Sequence, residues 1–168
     1  MYTGCFGELT LAVNFVGGCI HSVRLKGIER RSDRMPLFRV GLRDRDGNAF
    51  TVKADDAILC SESGGEAIYT GFRSCVCGEA LSAMSVGVRL ADENGEAAWR
   101  ISVCVANDAF LAEWVDFPLI SLPPLTANNR EGTGGELLFP YNEGVLISDV
   151  NAREETGFRY HEPEYPSM

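Results

Sequence analysis

The sequence lacks the features that mark membrane-spanning, secreted and zinc-binding proteins. It has no run of about 18 apolar residues, so no bilayer-spanning helix is predicted. Its first residues, Met1 to Cys5, lack the basic start and the apolar core of a secretory signal. It has two histidines and no Cys-x-x-Cys pair, which excludes the usual zinc-finger spacings. We therefore predict a cytoplasmic protein with no metal site and no cofactor.

The composition is that of an acidic globular protein. The chain has 168 residues, a formal net charge of -9, 45% hydrophobic residues and 23% charged residues, which indicates one folded domain. Because a chain of this length buries roughly 70% of its unfolded surface, it needs no disulfide staple. The six cysteines are interpreted as mostly buried, reduced thiols, with one adventitious disulfide or a redox role left open. The acidic balance argues against nucleic acid and anionic membranes as partners.

Basic residues are concentrated in one segment, residues 24–45. It holds eight basic and three acidic groups, a local charge of +5, so the remainder carries -14. An RNA-binding arm would interleave its arginines with a platform of aromatic stacking residues, and no such platform is present in this segment. We favour a solvated hairpin that complements an acidic neighbour, in the same chain or in a partner.

Alternation of apolar and polar residues is the strongest pattern. It predicts eight or nine short strands with turns every 8 to 12 residues, and no segment keeps helical spacing for three turns. Dipeptides typical of turns separate the strands, as at Asp46-Gly47 and Asn94-Gly95. The pattern predicts an all-β fold, an antiparallel β-sandwich formed by residues 1–116. The clearest strands lie within residues 9–15, 20–25, 38–43, 50–53, 57–61, 67–72, 86–90, 99–105 and 110–115.

The character of the chain changes after residue 116. Six of the seven prolines fall in the last 51 residues, and proline cannot donate hydrogen bonds to a sheet ladder. Residues 117–168 are therefore predicted to be irregular, with short strands at 137–139 and 145–147. We expect this segment to pack on the sandwich as part of a single domain.

No self-sufficient catalytic site is evident. Carboxylates are plentiful in the C-terminal third, but a solvated acidic loop explains them as well as an acid/base pair does. No Gly-x-Ser-x-Gly motif occurs, and two histidines leave little choice of general base. No catalytic residue is therefore assigned.

Aromatic residues offer a different chemistry. Trp114, Phe117, Tyr141 and several others cluster in or near the C-terminal third. Sugars are gripped by an apolar ring face beside polar side chains, so these residues are candidates for sugar contacts. The alternative is that Trp114 and Phe117 close the sandwich core.

Four short motifs resemble a known family. In order, the chain carries Trp99-Arg100-Ile101-Ser102-Val103, Trp114-Val115-Asp116-Phe117-Pro118, Leu137-Leu138-Phe139-Pro140-Tyr141-Asn142-Glu143-Gly144 and Tyr165-Pro166-Ser167-Met168. Together they resemble the N-terminal β-sandwich domain of multidomain glycoside hydrolase-like proteins. In that family a galactose-mutarotase-like supersandwich precedes a (β/α)8 barrel. The similarity covers roughly residues 8–168.

The resemblance implies an accessory role. The catalytic carboxylates of such proteins lie in the barrel, so this chain would support a downstream catalytic domain of a glycoside hydrolase without hydrolysing sugars itself. It implies Tyr141, Asn142 and Glu143 as a substrate loop, to which the aromatic argument adds Trp114. Because the family's sheet continues past the last motif, an unpaired edge and a homo-oligomer are also expected. A free-standing carbohydrate-binding module and a structural or assembly domain without ligand remain the alternatives.

Overall fold

The computed structural model describes residues 1–72, 81, 84–106, 108 and 110–122, and the backbone of two later strands. The chain divides into two compact units, Met1–Leu122 and Pro123–Met168. The division falls six residues after the boundary expected at residue 116. The packing of the C-terminal segment on the sandwich, as one domain, stays a prediction.

The first unit is built from three antiparallel sheets. The first sheet has the order β1-β2-β3-β4, with β1 Tyr2–Phe6, β2 Leu9–Asn14, β3 Cys19–Leu25 and β4 Ile28–Glu29. The second sheet has the order β10-β9-β8-β7, with β7 Ala57–Ser63, β8 Glu66–Phe72, β9 Met84–Glu93 and β10 Glu96–Val105. The third sheet has the order β11-β5-β6, with β5 Arg39–Asp44, β6 Ala49–Lys53 and β11 Phe110–Asp116.

The predicted all-β, antiparallel architecture is confirmed, and the first unit is sandwich-like. Each of the nine strands expected before residue 117 is present. Two short strands were not expected, β1 and β4. Asn94 and Gly95 both have positive φ, 60° and 84°, so they form the tight turn between β9 and β10 that such a dipeptide favours.

The core draws side chains from all three sheets of the first unit. Its largest fully buried member is Tyr69 on β8, which contributes no exposed surface. The Tyr69 ring meets Phe38 edge-on at 5.1 Å, and its hydroxyl donates to the Phe15 carbonyl at 2.8 Å. Phe15 directly follows β2 in the first sheet, and Phe38 directly precedes β5 in the third. Tyr69 therefore joins the second sheet to elements of both others.

The basic segment contacts acidic groups of the same chain. Arg24 pairs with Glu29 at 3.5 Å, and Lys26 pairs with Glu8 at 3.2 Å. Arg39 and Arg43 pair with two carboxylates of β11. This agrees with the expectation that the segment complements acidic neighbours. The segment is not a single solvated hairpin, however, because it runs from β3 and β4 of the first sheet to β5 of the third and buries Phe38, Val40 and Leu42.

The described cysteines are free thiols. Cys19 is buried and Cys60 is half-buried, as expected for small apolar side chains, whereas Cys5 and Cys104 are exposed. Burial raises the pKa of the Cys60 thiol, which makes it a poorer nucleophile at neutral pH.

The described part of the second unit is a pair of antiparallel strands, β12 Glu136–Phe139 and β13 Val145–Ser148. The two short strands expected at 137–139 and 145–147 fall within these ranges.

Candidate functional site

The outer face of the third sheet combines an aromatic side chain with charged ones. Along β5, Val40 and Leu42 are buried in the core, so the alternation turns Arg39, Gly41 and Arg43 to the opposite face. Strand β11 pairs with β5 and sets Trp114 beside Gly41 and Asp116 beside Arg39. We call this surface, formed by Arg39, Gly41, Arg43, Glu113, Trp114 and Asp116, the Trp114 face.

The ring of Trp114 lies over Gly41 at the centre of this face. A Cβ on Gly41 would meet the indole ring at 2.1 Å, so the ring occupies the space that any other residue at position 41 would fill. Gly41 is buried beneath the ring, while Trp114 itself stays 43% exposed. The exposed part of the indole therefore presents an apolar aromatic surface to solvent.

Two arginine–carboxylate pairs stand on either side of the indole. Arg43 donates from Nε to Glu113 Oε1 at 2.5 Å and from Nη2 to Glu113 Oε2 at 3.0 Å. This bidentate bond raises the pKa of Arg43. On the other side, Arg39 Nε lies 3.5 Å from Asp116 Oδ2, with poor geometry for a hydrogen bond. The Arg39 Nε atom is buried and has no hydrogen-bond partner among the described residues.

A bulge in β11 gives the face its shape. The register between β11 and β5 shifts between Ala112 and Trp114, because one extra residue, Glu113, is inserted there. The Glu113 carboxylate thereby reaches Arg43, while Trp114 still falls opposite Gly41. The result is an apolar platform with hydrogen-bonding groups at two edges, which is the arrangement that holds a sugar ring by stacking and polar contacts.

Of the four residues predicted to contact a ligand, the structure describes one. Trp114 is in place on the exposed face and is absent from the buried core. Phe117, its alternative partner in the core, is partly buried and packs edge-on against Trp99 at 5.5 Å. Tyr141, Asn142 and Glu143 lie outside the described residues, so their role as a substrate loop stays a prediction.

Sequence reasoning missed the other members of the Trp114 face. The alternation of residues 38–43 does place Arg39, Gly41 and Arg43 on one side of a strand. What it cannot supply is the pairing of β5 with β11, about 70 residues later, which puts a tryptophan on that glycine.

A second concave feature lies on the outer face of the second sheet. It is an open groove of about 360 Å³ across β8, β9 and β10, and its lining includes Ile68, Gly87, Arg89, Arg100 and Ser102. A smaller cavity of about 150 Å³ lies between Tyr2, Phe15 and residues 62–65. Both belong to the first unit.

The chain matches no protein-family model and no curated protein. Among the residues that the structure describes, no group of three or more histidine, cysteine, aspartate or glutamate side chains could hold a metal ion. The described residues also include no helix of the length and apolarity needed to cross a bilayer.

Proposed function

We propose that this chain is a non-catalytic β-sandwich module of a carbohydrate-active protein, and that its Trp114 face binds a sugar ring. One observation carries the proposal: the Trp114 indole lies over Gly41, 43% exposed, between two arginine–carboxylate pairs. The resemblance of the sequence motifs to an accessory sandwich domain of glycoside hydrolases points to the same ligand class.

The geometry favours binding over packing. A tryptophan that served only the core would turn its ring inward, as Trp99 does against Phe117. Trp114 instead lies on the exposed face of the sheet, where Gly41 has no side chain and so allows the ring to lie against the backbone. A pyranose stacked on its free face would place hydroxyl groups near Arg39 and Arg43, whose remaining N–H groups can donate to them.

The test is direct because the chain has two tryptophans, Trp99 and Trp114. In a Trp99→Phe background, Trp114 is the sole indole fluorophore. We expect neutral oligosaccharides of β-1,4-linked glucose, galactose or mannose to protect it from acrylamide quenching, and calorimetry to show binding that Trp114→Ala abolishes. Leu111→Ala, an exposed apolar change on the same strand, is the matched control and should leave binding intact.

Two results would overturn the proposal. One is the absence of any heat or protection for the whole oligosaccharide panel. The other is hydrolysis of an aryl glycoside by the purified chain, since that would give it a catalytic site of its own.

The same face also bears on the accessory role. The Trp114 face can equally be the surface that contacts a catalytic domain of the same protein, as the resemblance implies. Trp114→Ala would then weaken association with that domain while oligosaccharide binding by the isolated chain would be absent from the start.

A further inference from the structure

The groove on the second sheet contains an unusual pair of charges. Arg89 on β9 and Arg100 on β10 are directly opposite each other in the register of the two strands. Like charges placed directly opposite on neighbouring strands destabilise a sheet. Each arginine is partly compensated by one carboxylate: Arg89 Nε lies 3.2 Å from Glu66, and Arg100 Nη2 lies 2.6 Å from Glu93.

These contacts leave donors free among the described residues. A guanidinium carries five N–H groups in a planar fork, and each arginine uses one nitrogen on its glutamate. Both side chains are more than half exposed. Two adjacent forks with free donors match a carboxylate, which accepts parallel hydrogen bonds from arginine.

The floor of the groove is kept low by small residues. Gly87 on β9 lies opposite Ser102 on β10 and Ile68 on β8. A Cβ at Gly87 would meet Ser102 Oγ at 2.7 Å, so glycine leaves the depression open beside the two arginines. Ile68, which is 56% exposed, forms an apolar wall on the other side. The groove therefore offers cationic donors, a hydroxyl and an apolar contact within one concave surface.

We propose that this groove binds a uronic acid residue of an acidic saccharide, with the sugar carboxylate held by Arg89 and Arg100. The ring would lie over Gly87 and against Ile68, with Ser102 available to a ring hydroxyl. The proposal rests on the carbohydrate-binding function proposed above and names an acidic sugar as a ligand at a second surface. Although the whole chain is acidic, the charged residues lining the groove are two arginines and one glutamate, which favours an anion locally.

The experiment compares trigalacturonate with its neutral counterpart, galactotriose. We expect trigalacturonate to bind at least tenfold more tightly by calorimetry, and to shift the amide NMR signals of Gly87 and Ser102. Arg100→Gln and Arg89→Gln should each weaken that binding by tenfold or more, and added salt should weaken it further. Arg24→Gln is the matched control, because Arg24 is also an exposed arginine paired with one glutamate, on the first sheet.

The outcomes separate this proposal from the previous one. Equal binding of the two trisaccharides, or unchanged trigalacturonate affinity in both arginine variants, would overturn the groove assignment. Loss of trigalacturonate binding in Arg100→Gln but not in Trp114→Ala would support it, even if no neutral oligosaccharide protects Trp114. Circular dichroism of each variant distinguishes lost binding from lost folding.

Discussion

The indole of Trp114 occupies the space over Gly41, on a neighbouring strand, and that glycine is buried. The two residues shape the surface together. Because Gly41 has no side chain, the ring can approach the backbone, and the ring fills the space that a side chain at position 41 would occupy. This contact makes an apolar patch that is flanked by the ion pairs Arg43–Glu113 and Arg39–Asp116.

Gly41→Ala should displace Trp114 without unfolding the protein. The added methyl group would lie 2.1 Å from the ring, but the indole is at the surface and can rotate away. We expect Trp114 in the Trp99→Phe background to become more accessible to acrylamide, and any oligosaccharide binding to fall by at least tenfold. Thr51→Ala is the control, because Thr51 is exposed and lies opposite Gly41 on β6. Unchanged quenching in Gly41→Ala would show that the ring does not rest on this glycine.

Tyr69→Phe should lower the free energy of unfolding by about 1 kcal/mol, the net contribution of one hydrogen bond. The substitution keeps the ring in the core but removes the hydroxyl that donates to the Phe15 carbonyl at 2.8 Å, while that carbonyl keeps the hydrogen bond from the Gly18 amide. Urea denaturation measures the loss. Tyr2→Phe, at a partly exposed ring near the same region, should change stability by far less. Equal effects of the two substitutions would contradict a specific role for the buried hydroxyl.

Glu29 should stabilise the β3–β4 hairpin in a pH-dependent way. Burial alone would raise the pKa of this carboxyl. Hydrogen bonds from the Ser22 hydroxyl, the Val23 and Arg31 backbone amides and the Arg24 side chain outweigh that effect and lower the pKa to about 2. Because the folded pKa is below the unfolded one, the stabilisation is complete above about pH 4.5 and is lost as pH falls toward 2.

Glu29→Gln tests this linkage. We expect it to cost at most about 1 kcal/mol at pH 7, since the side chain is 43% exposed and screened by solvent. Its stability deficit relative to the unsubstituted protein should shrink between pH 4.5 and pH 2. Glu8→Gln, which removes only the exposed pair with Lys26, should show little pH-dependent difference. A deficit for Glu29→Gln that stays constant across this range would refute the assigned hydrogen bonds.

The β7 edge should support self-association, as an unpaired edge predicts. Strand β7 ends the second sheet, and no other described strand pairs with its outer side. Its exposed Ile58 and Leu59 are apolar, whereas charged side chains on an edge strand discourage edge-to-edge pairing. Leu59→Lys should shift sedimentation toward the monomer. Ile68→Lys is the matched control, because it makes the same kind of apolar-to-lysine change on an interior strand of the same sheet. It should not shift sedimentation. A monomer across the full concentration range for the unsubstituted chain would refute the idea.

Most of the fold could be predicted from the sequence pattern, but little of the candidate site could. Strands such as β5 and β9 were predictable because large apolar residues recur at every second position of their sequences. Strand β1 was not, because only Gly4 and Phe6 of its five residues are buried. Strand β4 has two residues, too few for any periodic signal.

The exposure of Trp114 lay beyond sequence reasoning for a different reason. Alternation along β11 is broken by the Glu113 bulge, so the direction of the Trp114 ring cannot be counted from its neighbours. The Arg89–Arg100 pair was similarly hidden, since it depends on the register of β9 against β10. Both features arise from which residues meet across strands, and a single sequence records only which residues follow one another.

The order of strands in the third sheet has a consequence for how the molecule assembles. The first and second sheets are formed by strands that follow one another along the chain. In the third sheet, by contrast, β5 pairs with β11, which lies far along the chain, and Asp44 lies opposite Phe110. Contacts between segments that are far apart in the sequence form late in folding, because closing the longer intervening loop costs more conformational entropy. Trp114 can reach Gly41 only when this last pairing forms. Its fluorescence should therefore report the final step of folding, and a chain stalled before that step would have both other sheets but no Trp114 face.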